Sequence, residues 1–285
     1  MFFLSKVKSN QFTQFPTVED PSLQIKYLGT AGFVFQTQSR TIVVDPFVTR
    51  PSLRKTVFGR LQPNLSLIQK LIPKADDVLI GHSHHDHILD APALCKLTGA
   101  RLIGSQATCH VGHAAGLPAS QMVCVHGRTE VPCGHVKALA LPSVHGRVYF
   151  NRVSLAGDIT SPPSWPPRFF HLRHGEVFNW WLDTGSHKIM HIDSADFINS
   201  NLQGLQADIV CLCAIGRYWR PNYVKDVVRL LRPKMIIPCH WDWFFDEYGT
   251  ANRLLPGVDL PGFINEIRAE QVEVGLLPIG GHFSL

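Results

Sequence analysis

The apolar positions in the first third of the chain come in short bursts. Gln24–Leu28 (QIKYL), Phe33–Gln36 (FVFQ) and Thr41–Val44 (TIVV) are rich in β-branched and aromatic residues. Gly29–Gly32 (GTAG) and Thr37–Arg40 (TQSR) break them, so the pattern predicts three strands joined by tight turns. Asp45-Pro46 ends the third strand, because proline cannot donate to a ladder. Residues 47–63, rich in Pro and Arg, predict a loop, and Leu65–Leu71 a helix. The pattern then alternates: strand Asp77–Ile80, helix Asp90–Leu97 with Asp90 as N-cap, strand Arg101–Ile103, helix Gln106–Ala115 and strand Met122–Val125. Glu130–Leu141 and Val148–Leu155 read as β-rich. Glu176–Leu182 and Lys188–Ile192 predict a hairpin around Asp183–Ser186 (DTGS). The last third alternates again, with strand Ile209–Cys213, helix Tyr223–Leu231, strand Met235–Pro238 and helix Phe263–Glu270. Two halves that each run from strands into strand–helix alternation predict one α/β domain over residues 1–285. Its two mixed sheets would pack face to face with helices outside, in four αββα layers.

One stretch interrupts this pattern. Residues 158–175 (DITSPPSWPPRFFHLRHG) carry four prolines and three large aromatics, which predicts a long surface loop that folds over a site like a lid. Composition changes the picture little: with 45% apolar and 17% charged residues, a sizeable core forms and disorder is excluded. The net charge of +5 is mild and the basic residues are scattered along the sequence. Nucleic-acid binding is therefore not expected, and a weak preference for anionic substrates fits. The opening MFFLSKVKSN places its apolar run ahead of its lysines, the reverse of a secretory leader. No run approaches the roughly 18 apolar residues of a membrane span, so the expected location is cytoplasmic. Seven cysteines, odd in number and without C-x-x-C spacing, read as reduced and mostly buried thiols rather than a disulfide framework or a zinc ribbon.

The chemistry concentrates in Ile80–Asp90 (IGHSHHDHILD), directly after a predicted strand. Its spacing is H-x-H-x-D-H, over His82, His84, Asp86 and His87. His82 and His84 alternate to one side of the chain, while Asp86 and His87 come from the turn into the next helix. One loop can thus serve two adjacent metal ions, and imidazole with carboxylate suits zinc, manganese or iron. His85, between them, is expected outside the ligand set. His110 and His113, three apart on a predicted helix, and His171, His174 and His191 are expected to be surface or packed residues. His171 or His174, on the loop, could also touch substrate. Trp165, Phe169 and Phe170 on the loop, and Trp241, Trp243 and Phe244 after a predicted strand, offer an apolar rim. Arg168, Arg173 and Arg217 are candidates to pair with a phosphate or carboxylate.

H-x-H-x-D-H after an apolar strand resembles the signature of the metallo-β-lactamase superfamily. Leu28–Gly32 (LGTAG) with Val43–Pro46 (VVDP) resembles one branch of it, the ascorbate-phosphate lactonase-like and N-acylphosphatidylethanolamine phospholipase D-like proteins. The resemblance implies the four-layer fold and two divalent ions, zinc first and manganese or iron as alternatives. It implies that His82, His84 and His145 hold one ion, and Asp86, His87 and His240 the other. His145 is matched in Leu141–Gly146 (LPSVHG) and His240 in Ile236–Trp241 (IIPCHW). The bridging aspartate matches Asp193 in Met190–Asp196 (MHIDSAD), with Asp196 as the alternative. Asp45 would accept the other N–H of a ligand histidine. The implied reaction is hydrolysis of a lactone or phosphoester by a metal-bridging hydroxide, with Asp86 orienting it and passing a proton to the leaving group. The expected partner is a small molecule, anionic with an apolar part, and a homo-oligomer stays open. Two other classes also stay open: an iron-dependent oxidoreductase on the same ligands, and a non-catalytic metal-binding module.

Overall fold

A computed structural model describes residues 4–285; Met1–Phe3 of the apolar start lie outside the described residues. Two seven-stranded sheets form the centre. The first holds β1 (Gln24–Gly29), β2 (Gly32–Gln36), β3 (Thr41–Val44), β4 (Asp77–Leu79), β5 (Arg101–Gly104) and β6 (Met122–Cys124) in chain order. The second holds β7 (Thr129–Cys133), β8 (Val136–Ser143), β9 (Val177–Asp183), β10 (Lys188–Ile192), β11 (Ile209–Cys213), β12 (Met235–Cys239) and β13 (Glu273–Val274), also in chain order. The last strand, β14 (His282–Ser284), returns to pair with β1. Each sheet is antiparallel over its first strands and parallel from β3 or β10 onward. The parallel halves follow from helical crossovers, because a parallel neighbour cannot be reached through a tight turn.

Alternation along the first sheet sorts its side chains. Ile25, Tyr27, Phe33, Phe35, Val44 and Leu79 face the second sheet and share a core with Phe178, Trp180, Ile189 and Ile237. Leu28, Val34, Val43, Val78 and Leu102 face the other way, onto α2 (Leu65–Leu71), α4 (Ala91–Thr98) and α5 (Gln106–Ala114). The second sheet is covered in the same manner by the short α6 (Asn199–Leu202), α7 (Tyr223–Leu231) and α8 (Leu260–Ala269), through Leu202, Val224, Val227, Phe263 and Ile267. The predicted αββα layering is therefore present. The DTGS hairpin is present too, with Gly185 N–H donating to the Asp183 carboxylate at 2.9 Å.

Several local expectations need correction. Residues 47–63 are not all loop: Leu53–Phe58 form α1, because the Ser52 hydroxyl accepts the Lys55 N–H and starts a helix after Pro51. Val148–Leu155 form no strand; the chain makes a single 3₁₀ turn at Tyr149–Asn151, with Phe150 and Asn151 in left-handed backbone that no ladder accommodates. Asp90 precedes α4 but does not cap it. Its carboxylate instead accepts the N–H groups of Val48 and Thr49 and the Thr49 hydroxyl, tying the end of β3 to α4. The cysteines are not all thiols, since Cys109 on α5 and Cys124 on β6 form a disulfide, where β6 runs back past the helix. The other five are free and buried, Cys239 among them.

Candidate metal centre

The centre forms where the carboxyl ends of β3, β4, β8, β10 and β12 converge, the place an open α/β sheet leaves a crevice. β4 stops at Leu79 and the chain turns through Gly81. Its N–H donates to Asp45 Oδ1 at 2.8 Å. A Cβ on Gly81 would overlap the Asp193 carboxylate, so glycine alone lets the ends of β4 and β10 approach. His82 and His84 follow in extended backbone, and Asp86 and His87 sit in the single turn of α3 (His85–Ile88). β8 delivers His145, β10 delivers Asp193 and β12 delivers His240.

All seven candidate ligands come together. His82, His84 and His145 bring one donor atom each to within 4.8 Å of one another; so do Asp86, His87 and His240, and so do His82, His87 and Asp193. Asp193 thus belongs to a grouping that overlaps both triads. Asp196 does not: its carboxylate is paired with Arg220 at 2.7 Å, facing away. Cys239 takes no part and stays in the core, where burial pushes its thiol well up.

Three of the imidazoles are oriented by what their other nitrogen does. His145 Nδ1 donates to the Gly146 carbonyl at 2.7 Å, and His87 Nδ1 donates to Asp45 Oδ2 at 2.9 Å, so each presents Nε2. Asp45 therefore does what was expected of it. His82 Nδ1 donates to Asp193 Oδ2 at 2.6 Å, which leaves His82 Nε2 facing His84 Nδ1 at 3.0 Å. Asp86 Oδ2 lies 3.3 Å from His240 Nε2 and 3.8 Å from His87 Nε2. His84 Nε2, His240 Nδ1 and Asp193 Oδ1 are buried without a hydrogen-bond partner. The atoms that face one another are imidazole nitrogens and carboxylate oxygens, such as His82 Nε2 and His84 Nδ1 at 3.0 Å, and gathering such groups in a buried site is costly unless a cation lies between them.

Electrostatics agrees with such a donor set. Burial lowers the pKa of His82, His84 and His87 well below the usual value, and neighbouring histidines push the same way, so these rings are neutral. Burial alone would raise Asp86, but the adjoining His87 and His85 and a hydrogen bond from His240 outweigh it and hold the carboxyl well below its usual range. Neutral imidazoles beside an ionised carboxylate are the protonation states a divalent cation takes.

The LGTAG motif acts as a strap for His240. The Thr30 carbonyl accepts the His240 N–H, and the Thr30 N–H donates to Asp242 Oδ1 at 2.7 Å. Asp242 also holds the Tyr27 hydroxyl at 2.8 Å and the buried Arg50 guanidinium at 2.7 Å. A Cβ on Gly29 would overlap that guanidinium, and Gly29 has φ 88°, so the turn requires glycine twice over. Ala31 O accepts His191 Nε2 at 2.7 Å, which explains that buried histidine structurally. His110, His113 and His171 join no ligand grouping.

A cleft of about 440 Å³ opens above these residues. Its walls are apolar, from Leu53, Tyr149, Phe169, Ile215, Phe244 and Phe245, and no Lys or Arg lines it. The arginine candidates are thus corrected. Arg217 is buried against Asp259 and Glu266, while Arg168 and Arg173 point outside. An anionic group inside the cleft has no side-chain cation to meet. Trp241 is corrected too: it is fully buried beside Tyr27 in the core, while Trp243 and Phe244 do reach the cleft. Trp165 packs against the α2–α4 side instead. His174 stacks on the His145 ring at 5.7 Å, with its Nδ1 donating to Gly175 O and its Nε2 accepting from Gly157 N–H, and so backs the histidines rather than joining them. His85 joins none of the ligand groupings. Its ring lines the cleft between Phe47, Phe169 and Phe244, with both nitrogens buried and unpartnered.

A family model described as the beta-lactamase superfamily domain matches residues 24–240. A UPF0173 metal-dependent hydrolase of Thermodesulfovibrio yellowstonii is 26% identical over 278 residues, covering 93% of this chain and 92% of that one. Igni18, described as a metallo hydrolase from the archaeon Ignicoccus hospitalis, superposes with a TM-score of 0.60 at 17% identity, over 92% of this chain and 98% of that chain. CmlA, a diiron beta-hydroxylase from Streptomyces venezuelae, gives 0.55 at 15% identity, over 95% of this chain and 55% of that chain. The last two show the shared fold, and together they show that it hosts more than one reaction class.

Proposed function

Because the chain belongs to the beta-lactamase superfamily, whose domain model spans residues 24–240, we propose that it is a metal-dependent hydrolase. In this reading it cleaves an ester-type bond, a lactone or phosphoester, in a small substrate with a substantial apolar part. The reading rests on one observation above all: three groupings of largely buried imidazole and carboxylate donors converge at the base of an apolar cleft. His82, His84 and His145 would hold one divalent ion, and Asp86, His87 and His240 a second, with Asp193 between them. Zinc is the ion we favour for an all His/carboxylate set that needs no redox chemistry. When bound, the ions would lower the pKa of water towards about 7 and withdraw charge from the bond being cleaved.

The remaining roles belong to the chain itself. The ionised Asp86 orients the attacking water and carries its proton to the leaving group. His85, whose ring lines the cleft, would contact the substrate's polar end. Phe169, Phe244 and Phe245 bind the apolar end and exclude water. Residues 158–175 give the cleft wall Phe169, and the segment is tied down by Leu61 N–H donating to Pro167 O at 2.7 Å and Ser83 N–H donating to His174 O at 2.9 Å. The LGTAG and VVDP motifs support membership of the lactonase-like and phospholipase-like branch, since Thr30 and Asp45 each steady a ligand histidine.

The test is a screen of the purified, zinc- or manganese-loaded protein against neutral lactones, carboxylic esters and phosphodiesters of increasing chain length. The reading expects turnover that rises with the apolar part of the substrate. Turnover of none of them would overturn it, as would one bound iron per chain with oxygen-dependent turnover.

A further inference from the structure

The surface around the cleft mouth differs from the rest of the molecule. Two segments border it, residues 51–60 and 144–175, which supply Leu53, Tyr149 and Phe169 to the cleft wall. Arg60 joins them by donating to Pro166 O at 2.9 Å. Together they carry seven basic residues (Arg54, Lys55, Arg60, Arg147, Arg152, Arg168 and Arg173) against one acidic residue, Asp158, in a chain with 27 basic and 22 acidic residues. All seven are exposed, and none forms an ion pair among the described residues. The facing wall holds Asp246 paired with Arg253 and Asp242 paired with Arg50, leaving Glu247 as its one unpaired acid.

The same two segments hold seven of the thirteen large apolar side chains that are exposed among the described residues. Phe58 is 75% and Phe150 91% exposed, and Phe170 stands beside the cleft-lining Phe169 at 5.8 Å between rings. Phe150 takes a left-handed backbone (φ 57°) that a residue with a Cβ adopts at a cost, and the result is a ring turned into water. Unburied aromatic rings among unpaired guanidinium groups, around the opening of an apolar cleft, have the composition of a surface that enters a headgroup layer. The basic residues looked scattered along the sequence because the fold gathers them from two distant segments.

We propose that the mouth of the cleft docks on an anionic lipid surface. Phe58, Phe150 and Phe170 insert among the headgroups, Arg54, Lys55, Arg152 and Arg168 meet lipid phosphates, and the cleft opens onto the acyl layer. The docking is peripheral, as no described helix is long and apolar enough to cross a membrane. It concerns the rim alone and holds whatever bond the floor cleaves.

Sedimentation with phosphatidylcholine vesicles, with and without phosphatidylglycerol, tests it on the full chain. The parent binds the phosphatidylglycerol vesicles in low salt and is released in high salt. Each cation near such a surface contributes about fivefold to partitioning, so Arg54→Glu/Arg152→Glu/Arg168→Glu lowers it at least tenfold. Phe58→Ser/Phe150→Ser/Phe170→Ser lowers it too. Lys225→Glu/Arg229→Glu/Arg268→Glu, on α7 and α8, does not. Circular dichroism and melting temperature stay at parent values in all three, since every changed side chain is exposed. Absence of binding to phosphatidylglycerol vesicles overturns the proposal, as does equal binding by the rim and helix variants. Retention on an immobilised acidic peptide with no vesicle binding also overturns it, in favour of a protein partner.

Discussion

The floor and the mouth of the cleft are built on opposite terms. The floor takes its residues from five strand ends, four of them from the stretch after β4, and several rings are held through a paired second nitrogen, as in His87 to Asp45 and His145 to Gly146. The mouth takes its residues from loops, a short helix and two 3₁₀ turns (Tyr149–Asn151 and Phe169–His171), and its side chains are apolar or positive and largely unpaired. The lesson is a division of labour. Precise placement of donors needs strands, whereas recognition of a large apolar molecule needs area and charge, which loops can provide.

Breaking the floor gives the largest effects. His84→Ala and His240→Ala each remove a donor no neighbour replaces, and each lowers bound metal and cuts turnover by at least about a hundredfold, read by metal analysis and steady-state rates. Asp45→Asn comes next. It leaves all seven ligands but loses the acceptor that fixes His87, so metal affinity, measured by competition with a chelator, falls about 10- to 100-fold with the fold intact. Phe244→Ala acts on the wall instead. It raises KM about tenfold for a substrate with an apolar tail and leaves metal content unchanged, because a buried aromatic contact contributes roughly 1.5–3 kcal/mol.

The smallest effect separates a structural carboxylate from those of the floor. Burial raises the Asp90 carboxyl to about 6 although Thr49 and Val48 donate to it. A raised folded pKa means that its ionised form is disfavoured on folding. That handicap is absent below its unfolded pKa near 4 and complete once pH passes the folded value. Asp90→Asn has no such titration. Its stability relative to the parent therefore improves by about 1 kcal/mol between pH 5 and pH 7.5, measured by urea unfolding. An unchanged difference would show that Asp90 is ionised in the fold at pH 5.

Much of the floor was legible in the sequence because its first half is local. His82, His84, Asp86 and His87 lie within six residues, and the spacing alone divides them between two directions. His145, Asp193 and His240 follow only from a resemblance, and the sequence leaves Asp193 and Asp196 both open because the Arg220 that pairs with Asp196 lies 24 residues away. The mouth was read poorly for a physical reason. Whether Trp241 faces core or cleft, or Arg217 faces solvent or two acids, depends on partners such as Tyr27, Asp259 and Glu266 that lie far away in sequence. Periodicity likewise missed α1 and made a strand of 148–155, since neither a cap at Ser52 nor a left-handed Phe150 leaves a hydrophobic pattern.

The central claim is that the two donor triads seat two ions with Asp193 between them. Metal content per chain, measured on the parent protein and on Asp193→Asn and Asp196→Asn after dialysis against limiting zinc, tests it directly. The account predicts two ions in the parent and in Asp196→Asn, and one or none in Asp193→Asn. A parent that holds a single ion, or an Asp193→Asn variant that keeps both, would contradict it.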